Sequence, residues 1–403
     1  MVLFPLPIMS PKPRVLLVSI VPPQNDCGVR IVMHRHLVER NPFDLHVATN
    51  TPQAWNPELK VTLLDLPYPL QRIRKSRYAP RFEKWFADYW NFVVPEMPHR
   101  GLDDCIWAFK PDVILTLAET GLCHLAAKTA KRNRIPLAGL FLDWFPIMPP
   151  HFGHSFAKGI LSERYRRLYR ECDLAFCTSD GMQDVLGPHP NSHVIYPMPG
   201  KHFIPEKIHP PKNERFRLVY VGAAERFYGR MLRRLIKEME KCADLEILIV
   251  GPHNDWPDKE KENARAKGIC LGFMPPEKAA EVLAGADALL VVMSFEEDQK
   301  LFMRTSFTTK FLDYAAFGKP VILWGPDYCT PSRLATREDA AIVVNDPLPS
   351  AIVSAALKLK NTPTDVEKYS SASRRLQQTT FSPECLQNIF VTEMEKLVPP
   401  ASE

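Results

Sequence analysis

The chain has 403 residues, 45 % of them apolar and 24 % charged, with a formal net charge of +5. That length accommodates two or three average domains, and the apolar share supplies more than one core. The mild positive charge falls short of a nucleic-acid-binding signature, which would be a clustered basic face or stripe, and no run of about 18 apolar residues makes a transmembrane helix. Nine cysteines are spread through the chain without a CxxC pair, the usage of reduced, mostly buried thiols in a cytosolic protein rather than of a disulfide framework or a zinc site.

The start, MVLFPLPIM, is apolar but carries Pro5 and Pro7 and lacks a basic n-region. It makes a poor signal peptide and reads as a loose tail over 1–13, with a weak membrane contact as the alternative. Short apolar runs follow at 15–21, 45–50, 61–66, 113–118, 137–143 and 174–179. Each is bounded by polar or turn residues and followed by a stretch long enough for a helix. This pattern predicts parallel strands buried on both faces, with helices between them. Gly28 stands between the first strand and its helix. Lacking a side chain, it would let backbone N–H groups approach a phosphate or a sugar, or it is an ordinary loop glycine.

Between 72 and 90, Arg72, Arg74, Lys75, Arg77 and Arg81 precede Trp85, Phe86, Tyr89 and Trp90. Such a mixture can lie on an anionic membrane surface, form an acceptor-binding lip, or pack its aromatics with a solvated basic side. The run at 137–143 ends in Asp143, which could accept a proton from a hydroxyl, orient it, or cap the next turn. His151 and His154 follow on the same loop.

From 188 to 211 there are seven prolines, which deny both helix and central strand and read as a stiff linker. The alternation then restarts with runs at 218–222, 245–251, 269–273, 288–294, 321–324 and 341–345, and 370–397 looks helical with no strand after it. The organisation expected is a domain over 14–196, a proline-rich linker over 197–216, a second domain over 217–369, and a terminal helix over 370–403 that could return to the first domain. Two doubly wound parallel sheets facing a cleft follow, with ligands outside the carboxyl ends of the strands.

Residues 307–326 read FTTKFLDYAAFGKPVILWGP. Thr308 or Thr309 can cap a helix start, whose free N–H groups suit phosphate oxygens. Lys310 adds a full charge there, which opposes the macrodipole and is compensated by an anionic ligand. Asp313 lies on the same face as Thr309 and could grip a ribose diol. The bland alternative is a solvated lysine and an aspartate that merely favours the dipole.

This segment resembles the donor site of glycosyltransferases of the GT-B architecture, of the family-4 type found in bacteria. The resemblance implies two Rossmann-like domains, with Lys310 on the donor diphosphate and Asp313 on the ribose. The common motif has two glutamates separated by seven residues; Asp313 replaces the second, and Thr305 stands where the first would be. In LVYVGAAERFYGRMLRRLI, Arg226 and Arg230 are the implied phosphate contacts. In ICLGFMPPEKAAEVLAGADALLVVM, the backbone around Phe273 and Met274 would read the nucleobase; without the family, Phe273 alone would be placed in the core. LAGLFLDWFPIMPPHFG resembles an Asp-Asp-Trp-Pro-like turn of one branch, placing Asp143 toward the acceptor.

The activity implied is transfer of a hexose from a nucleotide-diphosphate sugar, UDP- or GDP-linked, to a hydroxyl. It would be retaining, independent of metal and of any cofactor beyond the co-substrate, in the cytoplasm or at the inner face of the membrane. A saccharide, lipid-linked or small-molecule acceptor is implied, and transfer to nucleic acid is disfavoured by the modest charge. The missing first glutamate leaves two rivals: a non-catalytic nucleotide-sugar or partner-binding protein, and a hydrolysing sugar-nucleotide epimerase.

Overall fold

The structure, a computed structural model, describes residues 12–25, 28–51, 58–64, 77–119, 121–148, 153–199 and 213–398. The N-terminal tail up to residue 11, the proline-rich segment 200–212, and Arg72, Arg74, Lys75 and His151 lie outside the described residues.

Seven strands form the first sheet: β1 (Arg14–Val18), β2 (Asp44–Thr49), β3 (Lys60–Leu63), β4 (Val113–Leu117), β5 (Leu137–Phe141), β6 (Leu174–Cys177) and β7 (Ser192–Val194). Six form the second: β8 (Phe216–Val221), β9 (Leu245–Val250), β10 (Cys270–Gly272), β11 (Ala288–Val292), β12 (Val321–Trp324) and β13 (Ile342–Val344). The orders are β3-β2-β1-β4-β5-β6-β7 and β10-β9-β8-β11-β12-β13. Every pairing is parallel. Each sheet reverses direction once, at β1/β4 and at β8/β11, which are the topological switch points of a doubly wound fold.

The twelve runs expected from sequence coincide with twelve of these strands. The thirteenth, β7, lies inside the segment read as a linker. Ser192–Val194 falls between Pro190 and Pro197, where the chain is free of proline long enough to pair with β6. At the edge of a sheet a short strand needs hydrogen bonds on one side only, so neighbouring prolines do not prevent it. The central strands β4, β5, β11 and β12 are buried along their whole length. Helices therefore cover both faces, and the continuous apolar runs follow from that. The described cysteines are free thiols, and most are buried.

The chain divides into two compact units. The first holds β1–β7 and takes back residues 387–403 at the chain's end; the second holds β8–β13 and also takes 178–185. The segment 370–397 is not one helix but parts of two, Pro363–Gln378 and Pro383–Glu395, with Pro383 starting the second. Phe390 on the second is buried in the first unit, with ring centroids 5.0 Å from Phe176 and 6.0 Å from Phe43. Gln387, one turn earlier, bonds the Nδ1 of buried His36 at 2.9 Å and donates to its carbonyl at 3.2 Å. The return of the chain's end thus fills the first unit's core and gives one nitrogen of a buried imidazole its partner.

Phe390→Ala should destabilise the first unit by about 3–5 kcal/mol, the usual cost of a buried phenylalanine cavity. Urea unfolding read by the first unit's transition checks this; a change below about 1 kcal/mol would mean the helix is not part of that core.

Candidate active site

The second sheet's switch point lies between the carboxyl ends of β8 and β11. Gly222 follows β8 and Gly251 follows β9, with φ of 137° and 131°, where a side chain would be strained. Their backbones also pack closely. A Cβ on Gly251 would lie 2.2 Å from the Gly222 carbonyl oxygen, and one on Gly222 would lie 2.3 Å from Cε of Lys310. Only glycine at both positions leaves the notch that the Lys310 side chain occupies.

Tyr220 and Tyr228 complete this notch, their ring centroids 5.5 and 5.3 Å from the Lys310 ammonium. The rings attract a cation through their quadrupoles. Tyr314, one helical turn after Lys310, fixes the helix Thr309–Ala315 to the strand. Its hydroxyl accepts from the Val221 N–H at 2.7 Å and donates to the Val221 carbonyl at 3.3 Å. Burial depresses the Lys310 pKa from 10.5 to about 8, and the nearby charge of half-buried Asp313 opposes that shift. Lys310 is half-buried, and its ammonium beside the two rings keeps contact with solvent.

The loops after β8 and β9 brace each other. The Arg226 N–H donates to Asp255 at 2.6 Å and the Asn254 N–H to Glu225 at 3.1 Å. Trp256 donates its indole N–H to the Ala224 carbonyl at 2.6 Å. Arg226 takes a left-handed φ of 54° at the first position of the helix Arg226–Met239, and its side chain is exposed. Arg230, one turn on, forks onto Glu296 after β11, with contacts of 2.6 Å to both carboxylate oxygens. Exposed, it is a cation already partnered by a carboxylate that a ligand would have to displace.

Thr308 is the N-cap of Thr309–Ala315 by position, but its hydroxyl makes no capping hydrogen bond. The expected threonine cap is therefore not formed. With seven residues the helix is two turns long, so its dipole is a minor charge beside the lysine. The Lys310 side chain is more confined than the solvated reading expects, its stem against Gly222 and its ammonium beside two rings. Phe273 is 85 % exposed after Gly272 at the end of β10, so it is no core residue, and Met274 beside it is half-buried.

In the first unit, Gly28 opens the helix Gly28–His34 with φ 54° and empty space where a Cβ would point. Asp143, half-buried after β5, accepts from the Tyr165 hydroxyl through its carbonyl at 2.9 Å. Sequence reasoning missed Glu119. It stands two residues beyond β4, at the first sheet's switch point. Burial first, then the charge of Asp143, push its carboxyl pKa up to about 8. A neutral carboxyl thus lies near Asp143. The signal available was its place just after the run 113–118. His154 is held by Asp88 at 2.6 Å and stacks on Phe156.

Among the described residues no helix is long and apolar enough to cross a membrane. Residues 215–361 match the family described as glycosyl transferases group 1. No curated protein matches the chain in sequence. Solved structures do match it in fold. The sucrose-phosphate synthase of Thermosynechococcus elongatus superposes with a TM-score of 0.62 at 13 % identity, over 96 % of this chain and 99 % of that one. HepE of Anabaena, in complex with UDP, gives 0.68 at 12 % identity over 95 % and 100 %. WaaG, a glycosyltransferase involved in lipopolysaccharide biosynthesis, gives 0.56 at 13 % over 93 % and 99 %.

The Lys310 environment has a measurable consequence. Its folded pKa, near 8, lies below its unfolded value of 10.5, so the unfolded chain binds more protons between the two. Stability from this group therefore rises as pH increases from about 8 to 10.5 and is lost as pH falls through about 8. Lys310→Met keeps the stem and removes the desolvated charge. It should stabilise the unliganded second unit by about 1–2 kcal/mol at pH 7 and abolish that alkaline rise, read by urea unfolding. A destabilised variant with the rise intact would contradict the reading.

The chain has the GT-B fold, and within its second unit residues 215–361 match glycosyl transferases group 1.

Proposed function

We propose that the protein transfers a sugar, with retention, from a uridine diphosphate sugar to an acceptor hydroxyl, and that no metal is needed. The observation that carries this reading is the Lys310 ammonium, confined at the carboxyl end of β8 beside Gly222. Breaking the anomeric C–O bond leaves negative charge on the diphosphate, and a fixed, desolvated cation stabilises that charge more than a hydrated one. A phosphate at Lys310 would also relieve its buried charge. Arg226, and Arg230 if released by Glu296, would add to the same charge. Thr308 and Thr309 offer hydroxyls and backbone N–H groups beside it. Asp313 would take the ribose diol, and the backbone and exposed ring after Gly272, Phe273 with Met274, would face the uracil. Uridine is preferred over guanosine because HepE is solved with UDP.

In the first unit Gly28 would admit the donor's sugar or phosphate to backbone N–H groups. Asp143 and Glu119 would meet the acceptor. With retention, the leaving phosphate itself takes the acceptor proton, and the two carboxyl groups orient the hydroxyl. The acceptor we propose is a lipid-linked saccharide reached at a membrane surface. Trp85 is 65 % exposed and Phe156 is 67 % exposed, with His154 between their rings at 5.6 Å from each. Arg77 and Arg81 stand nearby around Tyr78. Exposed aromatics rimmed by arginines suit an anionic interface.

Two experiments test this. UDP, GDP and their hexose conjugates are screened for thermal stabilisation, then turnover is followed with a panel of acceptors and the product's anomeric configuration read by NMR. UDP should stabilise the wild type, and Gly222→Val, which fills the notch, should weaken UDP binding about 10- to 100-fold. Binding without turnover would instead support a non-catalytic binder. UDP release with no acceptor would support the epimerase. Separately, the protein should float with vesicles containing phosphatidylglycerol and not with phosphatidylcholine alone; Trp85→Ser with Phe156→Ser should abolish flotation, and flotation unaffected by the pair would remove the membrane contact.

A further inference from the structure

Outside this site, a cavity of about 620 Å³ lies on the opposite side of the second sheet. It opens at the amino ends of β8, β11 and β12, lined there by Phe216, Asp287 and Pro320, and is walled by Lys319, Ser370 and Arg374. It is therefore separate from Lys310, which lies at the carboxyl end of β8. Its size is that of small-molecule sites.

The polar groups facing it are not balanced among themselves. Lys319 is only 7 % exposed, yet its ammonium has no hydrogen bond among the described residues. Its backbone is held in place, since the Ser373 hydroxyl donates to its carbonyl at 2.9 Å. Burial pulls its pKa down, and the charge of Asp287 offsets only part of that. Asp287 is already engaged. One of its oxygens accepts from the Arg217 N–H at 2.7 Å and from the Asn213 amide at 2.9 Å. Its other oxygen accepts nothing among the described residues. Ser370 is also 7 % exposed, and its hydroxyl is without a hydrogen bond among them. Neither the Lys319 ammonium nor the Ser370 hydroxyl is among the fully buried atoms that lack a partner, so both are open to the cavity and a ligand there can reach them.

Arg374 adds a second cation at the rim. Its stem packs on Gly318, where a Cβ would come within 2.9 Å of Cγ, and its guanidinium bonds Glu367 at 2.7 Å. Lys360 faces the cavity too and pairs with Asp244. Phe216, Phe317, Pro320 and Val366 provide apolar walls. The free groups thus ask for an anion at one end and a hydroxyl donor at the other.

We propose that this cavity binds a small hydroxylated phosphate monoester, with its phosphate on Lys319, Ser370 and Arg374 and a hydroxyl donating to Asp287. The site does not depend on the donor reading. It does share an element with it: the helix Thr309–Ala315 carries Lys310 in its first turn and leads into residues 316–319 of the cavity wall.

Thermal shift of the full chain tests this with glycerol 3-phosphate, glucose 6-phosphate, inorganic phosphate, glycerol and glucose, in the wild type and in Lys310→Met. The phosphate monoesters at millimolar concentration should raise Tm by about 2 °C or more in both backgrounds, and the neutral polyols should not. Lys319→Met should lose the shift and Arg374→Gln should reduce it, while a UDP shift survives in both. Should Lys319→Met fail to fold, Ser370→Ala together with Arg374→Gln replaces it. A shift that persists in these variants, or no shift with any phosphate in the wild type, overturns the proposal. A full shift with inorganic phosphate alone overturns the role of Asp287. A phosphate-monoester shift without any UDP shift upholds this site and counts against the donor reading instead.

Discussion

The constraint on which the second unit's site depends is a missing side chain. Gly222 has no Cβ, and the space where one would stand is taken by the stem and ammonium of Lys310. The strand can turn away at that residue only with a left-handed backbone, and it can pass the next loop only because Gly251 is bare as well. The two glycines and the lysine are one unit in which each position restricts the others. Tyr314 then fixes the lysine's helix to the end of β8. A charge placed this way before any ligand arrives is what the proposed stabilisation of a leaving group would require.

The two units solve the same topological problem with different chemistry. Each sheet reverses once, and in each a side chain with a shifted pKa stands near that reversal. In the second unit the feature is a confined cation. In the first it is a pair of carboxyl groups, one of them Glu119, made reluctant to ionise by burial and by its neighbour. The first unit also depends on the chain's end, where Phe390 and Gln387 complete a core begun some 350 residues earlier by His36. That separation makes the first unit's stability a matter of long-range closure rather than of local propensity.

Much of this was legible in the residues. Buried parallel strands leave continuous apolar runs, and twelve of them were visible for that reason. Lys310 and Asp313 stood out because a cation at a helix start is locally unfavourable. What could not be read was whatever depends on packing between distant segments. Gly222 is a routine strand-end glycine until Lys310 is placed against it. The run 113–118 stops just short of Glu119, and nothing in the sequence says that Asp143 lies beside it. The strand β7 was hidden by its prolines. Phe273 was misleading in the opposite direction, an aromatic beside a strand that proves to be exposed. The absent threonine cap has the same origin, since a hydroxyl's rotamer is chosen by neighbours the sequence does not name.

The central claim is that the Lys310 ammonium is a desolvated charge waiting for an anion. Its titration is directly observable through the side-chain ¹³Cε resonance, assigned by its loss in Lys310→Arg. The account predicts a midpoint near pH 8 in the free protein and a clear upward shift when UDP is added, since the diphosphate favours the charged form. A midpoint near the ordinary lysine value of about 10.4, unmoved by UDP, would contradict it.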